Sequence, residues 1–275
     1  MKRIAMGVAA ALCVQAAAAQ QTEGKVIYER TIEMQIRIAG MPEEMQRQIP
    51  RTRTDKIEVS FANNQSLRKQ LPQEETDEQV FNNTVDGGGQ VRGGVSIRMM
   101  GAGADDATFT DLAKGTITDQ RELGTKKFVV SDSISKLSWK LTGETRTILG
   151  YACQQATAQR ITMRMQSSIV NGQVKREELP DTANITAWFT PAIPVAAGPE
   201  VQGQLPGLIL AIDINNGRTV YKALEVSPKV DVAVIKEPKG GKKITQQEFR
   251  EEQNKLMQEM QRNNGGRGAT FRMSN

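Results

Sequence analysis

Apolar and polar residues alternate along most of the chain, which is typical of β-strands that bury one face and expose the other. From Tyr28 to Ile38 every second residue is apolar except Arg30, whose long stem can lie along an apolar face near a strand end. The same pattern, bounded by turn residues, recurs along the chain. It predicts further strands at 57–61, 65–70, 95–99, 107–118, 126–131, 137–146, 151–165, 185–189, 208–214, 218–226 and 230–235.

Several segments interrupt the alternation. Residues 72–94 are acidic at first and rich in glycine later, so they bury too little apolar area to offset the entropy of ordering, and we predict a mobile loop. Residues 175–183 are predicted as a second polar loop, and residues 41–48 as a short helical piece. Asn215-Asn216-Gly217 is predicted as a hairpin turn, because asparagine and glycine accept positive φ.

The last element has a different period. Thr245 and Glu248 have the spacing of a capping box, and Phe249, Leu256 and Met260 then recur at helical spacing. This predicts a C-terminal helix that ends near Asn263, followed by a flexible tail at 264–275.

Many strands, few helices and no strand–helix–strand rhythm predict an all-β fold. We expect a strongly curved antiparallel sheet or an open barrel with the C-terminal helix over it. Residues 20–263 are expected to form a single β-rich domain, since their number suits one such unit.

The first nineteen residues have the features of a signal peptide. Lys2 and Arg3 form a charged start, residues 4–14 are mostly apolar, and residues 17–19 are alanines suited to cleavage. The apolar run is too short to span a bilayer, and no other segment is apolar enough to do so. We therefore expect an exported protein without a transmembrane segment, periplasmic or extracellular once residues 1–19 are removed.

The composition of the chain excludes several classes of ligand and catalytic site. Removing Lys2 and Arg3 leaves 34 basic against 31 acidic residues, a net charge of +3 that is too small and scattered for a nucleic-acid footprint. The chain has no histidine, which excludes histidine-dependent nucleophiles and histidine zinc sites. We find no catalytic motif, metal site or cofactor site in the sequence, and expect a protein that is not an enzyme.

Cys153 is the one cysteine left after the predicted cleavage, which excludes thiolate zinc and iron–sulfur sites. An unpaired cysteine in an exported protein is either buried and inert or available for a bond between chains. Its position on a predicted strand beside Tyr151 favours the buried alternative.

Two segments carry a family resemblance. Residues 203–209 read Gly-Gln-Leu-Pro-Gly-Leu-Ile, between an aromatic strand end and an apolar strand, and a block from Trp139 to Cys153 contains a Gly-Tyr-x-Cys motif. These segments resemble the GLPGLI family, exported proteins found mainly in Bacteroidota. Gln204 departs from the pattern, because the family usually has a second glycine there. The family has no established activity, so the resemblance transfers no catalytic residue.

The Leu-Pro-Gly-Leu turn and the strand end before it form the candidate site. Pro206 and Gly207 suit the two central positions of a type II turn, in which the glycine takes positive φ. The segment is then either a structural clamp that closes one end of the sheet or the rim of a ligand cavity. The residues concerned are Trp188, Phe189, Pro191, Pro194, Leu205, Pro206, Gly207 and Leu208.

These observations favour an exported binding or scaffold protein. Its partner is unknown, and an envelope protein and a small apolar ligand are both candidates. One alternative is a periplasmic carrier of a small apolar or amphipathic ligand. The resemblance implies another, an accessory partner of an outer-membrane TonB-type receptor complex. Thr182 and Ser133 follow aspartates and precede apolar residues, which resembles the sites where exported proteins of that group carry O-glycans.

Overall fold

The computed structural model describes residues 21–34, 43–47, 51–72, 106–170 and 173–263. The predicted signal peptide, the loop at 72–94 after its first residue, the strand at 95–99 and the tail at 264–275 lie outside the described residues, as do Ile36 and Ile38 of the first predicted strand.

Twelve strands and two α-helices make up the described part. The helices are α1 (Glu43–Arg47) and α2 (Gln246–Asn263). The strands are β1 (Gly24–Glu33), β2 (Thr52–Ala62), β3 (Gln65–Gln70), β4 (Ala107–Asp111), β5 (Thr116–Leu123), β6 (Lys126–Ser133), β7 (Lys140–Ile148), β8 (Tyr151–Val170), β9 (Gln173–Thr190), β10 (Leu208–Ile214), β11 (Thr219–Ser227) and β12 (Lys242–Ile244).

All twelve strands form one open sheet, in the order β12-β6-β5-β4-β3-β2-β1-β11-β10-β9-β8-β7. Neighbouring strands are antiparallel except β12, which runs parallel to β6 at one edge. The predicted all-β class with a C-terminal helix is confirmed.

The connection from β6 to β7 shows that the sheet is strongly curved. These strands lie ten positions apart in the sheet, about 48 Å along a flat surface at ~4.8 Å per strand. Only residues 134–139 join them, and such a connection reaches about 25 Å when fully extended. The sheet must therefore curl so that its two ends approach each other, which produces an inner and an outer face.

The core lies on the inner face. Val26, Tyr28, Val59, Phe189 and Ile212 are all fully or almost fully buried there, on strands from both halves of the sheet. A second, smaller group lies at the β5–β6 end, where the Phe249 ring of α2 meets the Phe128 ring edge-on at 5.6 Å between centroids. Thr245 and Glu248 exchange backbone and side-chain hydrogen bonds at 2.7–3.2 Å, so the predicted capping box is confirmed.

Three predictions of secondary structure are wrong. The polar loop expected at 175–183 is part of β9, which pairs residue by residue with β8 from Gln154↔Phe189 to Val170↔Gln173. The strands β8 and β9 form a long two-stranded ribbon. From Ile185 towards the turn between the two strands, where the pairing of β9 with β10 has ended, the ribbon has no other neighbour among the described strands. Backbone pairing of this kind does not require alternating apolar side chains, so the polar composition of the segment concealed the strand.

The single strand expected at 107–118 is two strands, β4 and β5, joined by a turn in which Asp111 accepts a hydrogen bond from the Lys114 N–H at 3.0 Å and Gly115 has a φ of 67°. The strand expected at 230–235 is instead a short 3₁₀ helix over Val232–Val234, whose preceding residue Asp231 accepts from the Ala233 N–H at 2.9 Å. In both places a hydrogen bond from a backbone N–H to a nearby aspartate stabilises a turn or a short helix, although the apolar pattern predicts a strand.

Candidate functional site

The connection between β9 and β10, residues 191–207, fills the inner face of the sheet. We call it the inner loop. Its apolar side chains are buried against both halves of the sheet, and the loop turns repeatedly, with Val195 N–H bonded to Ile193 C=O at 2.8 Å and Ala197 N–H to Val195 C=O at 2.7 Å. The buried hydrophobic side chains of the inner loop that belong to the core are Ile193, Val195, Ala197, Val201 and Leu205.

Buried polar contacts fix the inner loop to distant strands. Ser66 of β3 donates to the Gln202 side-chain oxygen at 2.6 Å, and the Arg68 guanidinium donates to the Pro199 carbonyl at 2.9 Å. At the end of the loop, the Tyr28 hydroxyl of β1 donates to the Ile209 carbonyl at 2.6 Å. Burial raises the pKa of Tyr28, so the phenol keeps its proton and remains a donor.

Glu200 at the middle of the inner loop joins three strands. Its carboxylate accepts from Arg160 of β8 at 3.1 Å and from the Tyr221 hydroxyl of β11 at 2.9 Å, and Arg68 of β3 lies 3.7 Å away. We call these four residues the Glu200 cluster. Burial and the Glu200 charge raise the pKa of Tyr221, and arginine stays protonated. None of these three partners exchanges a proton near neutral pH, so the arrangement suits holding the loop.

A second charged contact lies beside this cluster. Arg30 of β1 donates two hydrogen bonds to Asp55 of β2, at 2.8 and 2.6 Å, and the Asp55 side chain is only 1% exposed. Burial alone would lower the pKa of Arg30, but the hydrogen bond and the charge of Asp55, with Tyr221 nearby, raise it overall. The exception in the apolar face of the first predicted strand is thus a paired arginine, whose charge is compensated.

The predicted type II turn is wrong. Gly207 does not have a positive φ, and its N–H bonds to the Leu205 carbonyl at 2.9 Å, across Pro206 alone. The glycine is required for another reason. A Cβ on Gly207 would come within clashing distance of the Thr190 carbonyl oxygen and 2.7 Å from its carbonyl carbon. The turn therefore needs glycine because the inner loop closes directly against the end of β9.

The predicted site residues fall into three groups. Phe189, Leu205, Gly207 and Leu208 are buried, Trp188 is half-buried and packs against the core, and the three prolines are exposed. The Arg146 guanidinium lies over the Trp188 ring at 4.0 Å, a cation–π contact. The exposed prolines are Pro191, Pro194 and Pro206.

The buried apolar side chains of the inner loop and Phe189 belong to one core on the inner face of the sheet. The segment thus belongs to a packed interior in the described structure.

The sequence interpretation missed Gln204, which it recorded only as a departure from the family pattern. Its side-chain oxygen accepts from the Leu137 N–H at 2.7 Å and from the Trp139 indole N–H at 3.1 Å. Its amide nitrogen donates to the Ser135 carbonyl at 2.9 Å. Gln204 thus fixes the short connection that closes the curved sheet. The replacement of the usual glycine by glutamine could have indicated these contacts, since a long polar side chain at that position needs hydrogen-bond partners.

We expect Gln204→Ala to lower the free energy of unfolding by about 1–3 kcal/mol, because three hydrogen bonds to the β6–β7 connection are lost together. Urea denaturation followed by circular dichroism measures this change. Gln247→Ala, on the exposed side of α2, is the matched control and should leave the midpoint unchanged. Equal midpoints for the two variants would show that Gln204 does not hold the connection.

The remaining predicted residues lie apart from the inner loop. Cys153 is buried, and burial raises the pKa of its thiol, which makes it a poor nucleophile. Ser133 and Thr182 are both exposed, but Thr182 lies in β9 opposite Ile161 and not in the loop that was expected. Among the described residues, no group of acidic, cysteine or histidine side chains could hold a metal ion. No described helix is long and apolar enough to cross a membrane.

A comparison with protein families matches the part of the chain that contains the two segments of the family resemblance. Residues 139–211 match the model of a family described as a protein of unknown function (Porph_ging). That range contains both the Trp139–Cys153 block and the turn at Gly207, so the family resemblance is supported at the level of a family without known function. No curated protein matches the chain.

Solved structures similar to the chain include two of one protein. They are described as PNGF-II in the P21 and C2 space groups, and they align with 84% and 83% of the chain at 17% sequence identity, with a TM-score of 0.47 in both cases. The alignment covers 33% and 32% of those longer chains, so this chain spans about a third of their length.

Proposed function

We propose that this chain is an exported protein of the cell envelope that binds or scaffolds another protein and does not catalyse a reaction. The observation that carries the proposal is the inner loop, which fills the face that a curved-sheet carrier would use for its ligand. A protein whose interior is closed in this way offers its outer surface and its strand ribbon to partners.

The charged groups of the interior support the same proposal. Arg30 pairs with Asp55, and Arg68 and Arg160 both contact the Glu200 carboxylate. A general base or acid works best with a pKa near the operating pH, and a permanently charged arginine does not provide one. The Glu200 cluster holds the inner loop and Arg30 with Asp55 joins β1 to β2, and neither arrangement suits proton transfer.

Native mass spectrometry of protein purified from its own cell envelope tests the proposal. We expect the mass of a chain that begins at Gln20, with no small molecule bound. A co-purifying lipid or other small apolar ligand would make the protein a carrier and contradict the binding or scaffold role.

The same spectrum tests Thr182 and Ser133, because an O-glycan on either would add its mass to the bare chain. Turnover of ester, peptide or glycoside substrates at enzyme-like rates would contradict the non-enzymatic part.

A further inference from the structure

The ribbon of β8 and β9 extends well past the rest of the sheet. Beyond the pair Ala158↔Ile185 the two strands pair only with each other, among the described strands, through twelve residue pairs that end at Val170↔Gln173. This length is about 40 Å at ~3.4 Å per residue. Both outer edges are free there, because β7 ends its pairing at Thr157 and β10 ends its pairing at Ile185. A single two-stranded ribbon is marginally stable at best in water, so a strand added at a free edge would stabilise it.

The free edge of β9 carries a charge pattern that is complementary to itself. Two cations, Lys175 and Arg176, are followed at once by two acids, Glu177 and Glu178, and we call residues 175–178 the charged segment. The residues directly opposite them on β8 are all uncharged, namely Ser168, Ser167, Gln166 and Met165. Because the first half of the charged segment is positive and the second half is negative, a second copy that runs antiparallel places opposite charges across from each other.

The outer edge of β8 does not offer this complementarity. Its charged residues beyond the pairing with β7 are Arg160 and Arg164, and none is acidic. Two copies paired along β8 would therefore bring four arginines together without an acidic residue on that edge, and like charges across neighbouring strands are unfavourable. The charge pattern thus selects the edge of β9. It selects a second copy of this chain as the partner, because the same four residues supply both signs of charge.

The residues that follow the charged segment suit a short pairing at this edge. Pro180 is exposed and pairs with Met163 within an uninterrupted ladder. Proline has no N–H to donate and occurs in sheets with its nitrogen directed away from the neighbouring strand, so the Pro180 nitrogen faces the free edge. A strand added there finds no donor at Pro180, which limits the new ladder to the charged segment and its immediate neighbours. Leu179, an apolar residue that is 37% exposed, lies within reach of that ladder.

We propose that the β9 edges of two copies of this chain pair antiparallel through the charged segment, which joins the two ribbons into one four-stranded sheet. Lys175 and Arg176 of one copy then lie across from the partner subunit's Glu177 and Glu178. The same surface is used by both copies, so the arrangement closes at a dimer. This self-association is independent of the binding role proposed above.

The length of the ribbon leaves room for both molecules. From the centre of the charged segment the strand runs about eight residues, roughly 27 Å, to Ile185, where the sheet begins, but only about five residues, roughly 17 Å, to the end of the ribbon. The end of one ribbon therefore stops about 10 Å short of the sheet of the partner subunit. The two sheets do not collide when the charged segments pair.

Sedimentation equilibrium of the mature chain and of two charge-reversed variants tests the dimer. Lys175→Glu with Arg176→Glu makes the charged segment entirely acidic, and Glu177→Lys with Glu178→Lys makes it entirely basic. Because like charges then face each other, we expect the dimer dissociation constant of each variant alone to be at least about tenfold higher than that of the wild-type chain. An equimolar mixture of the two variants places acids across from bases again and should form a mixed dimer.

Lys242→Glu with Lys243→Glu is the matched control. These exposed lysines lie on β12 and not on the ribbon, and the variant has the same change in net charge as the acidic variant. Its dimer dissociation constant should stay within about threefold of that of the wild-type chain. All variants should keep the near-ultraviolet circular dichroism spectrum of the folded core.

Four results would overturn the proposal. The first is a wild-type chain that stays monomeric at every concentration, and the second is a charge-reversed variant that dimerises as tightly as wild type. The third is a mixture of the two variants that remains monomeric, because complementary charge would then not direct the pairing. The fourth is an equal loss of dimer in the control, which would show that association depends on net charge and not on the charged segment.

Discussion

Replacing Gly207 with alanine should lower the free energy of unfolding by about 3 kcal/mol, the upper part of the range for overpacking a well-packed interior. The added Cβ would collide with the Thr190 carbonyl group, which is main chain and cannot turn away as a side chain does. Because Leu208 next to it donates to the Ile193 carbonyl at 2.9 Å, movement of the turn would also disturb the inner loop.

Thermal and urea denaturation of the purified variant measure this loss, with Gly240→Ala as the matched control. A Cβ on Gly240 would meet only the Gln120 side-chain oxygen, at 3.9 Å, and Gly240 does not have a positive φ. The same chemical change should therefore leave its stability within about 0.5 kcal/mol of wild type. If Gly207→Ala melts with the wild-type protein, the inner loop does not close against β9 as described.

Replacing Asp55 with alanine should lower the free energy of unfolding by about 3–5 kcal/mol. The side chains of Arg30 and Asp55 are 15% and 1% exposed, so the loss of the carboxylate leaves a guanidinium charge shielded from water without its partner. Arg53, 3.8 Å from Asp55, would lose a further attraction. The effect is larger than that of an ordinary surface ion pair because solvent does not replace the missing charge.

Urea denaturation again provides the measurement, and Arg47→Ala is the control. Arg47 and Glu43 form an ion pair at 3.9 Å whose side chains are 75% and 90% exposed, so its removal should leave the midpoint unchanged. The double variant Arg30→Met with Asp55→Leu removes both charges and should recover much of the stability lost by Asp55→Ala. Similar midpoints for Asp55→Ala and Arg47→Ala would show that the buried pair does not stabilise the sheet.

Local patterns predicted most of the elements because their causes are local. The alternation of Ile57, Val59 and Phe61, the turn at Asn215-Asn216-Gly217 and the capping box of α2 each depend on residues close together in the chain, and the structure contains all of them. Both asparagines of that turn have positive φ, 56° and 53°, which is the conformation that asparagine tolerates.

Predictions failed where the deciding contact comes from a distant part of the chain. The polar residues at 175–183 gave no strand signal, because β9 there pairs through its backbone with β8, a distant contact that apolar periodicity does not record. Gly207 was correctly singled out, but for the wrong reason, since the Thr190 carbonyl that requires a glycine lies seventeen residues earlier. Gln204 was noted without its three hydrogen bonds, all to residues more than sixty positions away.

The sequence by itself determined the strand-rich class and the C-terminal helix, since composition and periodicity report local backbone preference and burial. Only the tertiary structure decided that the inner loop fills the inner face of the curved sheet and that Glu200 meets Arg68, Arg160 and Tyr221 there. Those outcomes depend on which surfaces meet after the chain has folded. A sequence pattern records that a residue is buried, but not against which partner.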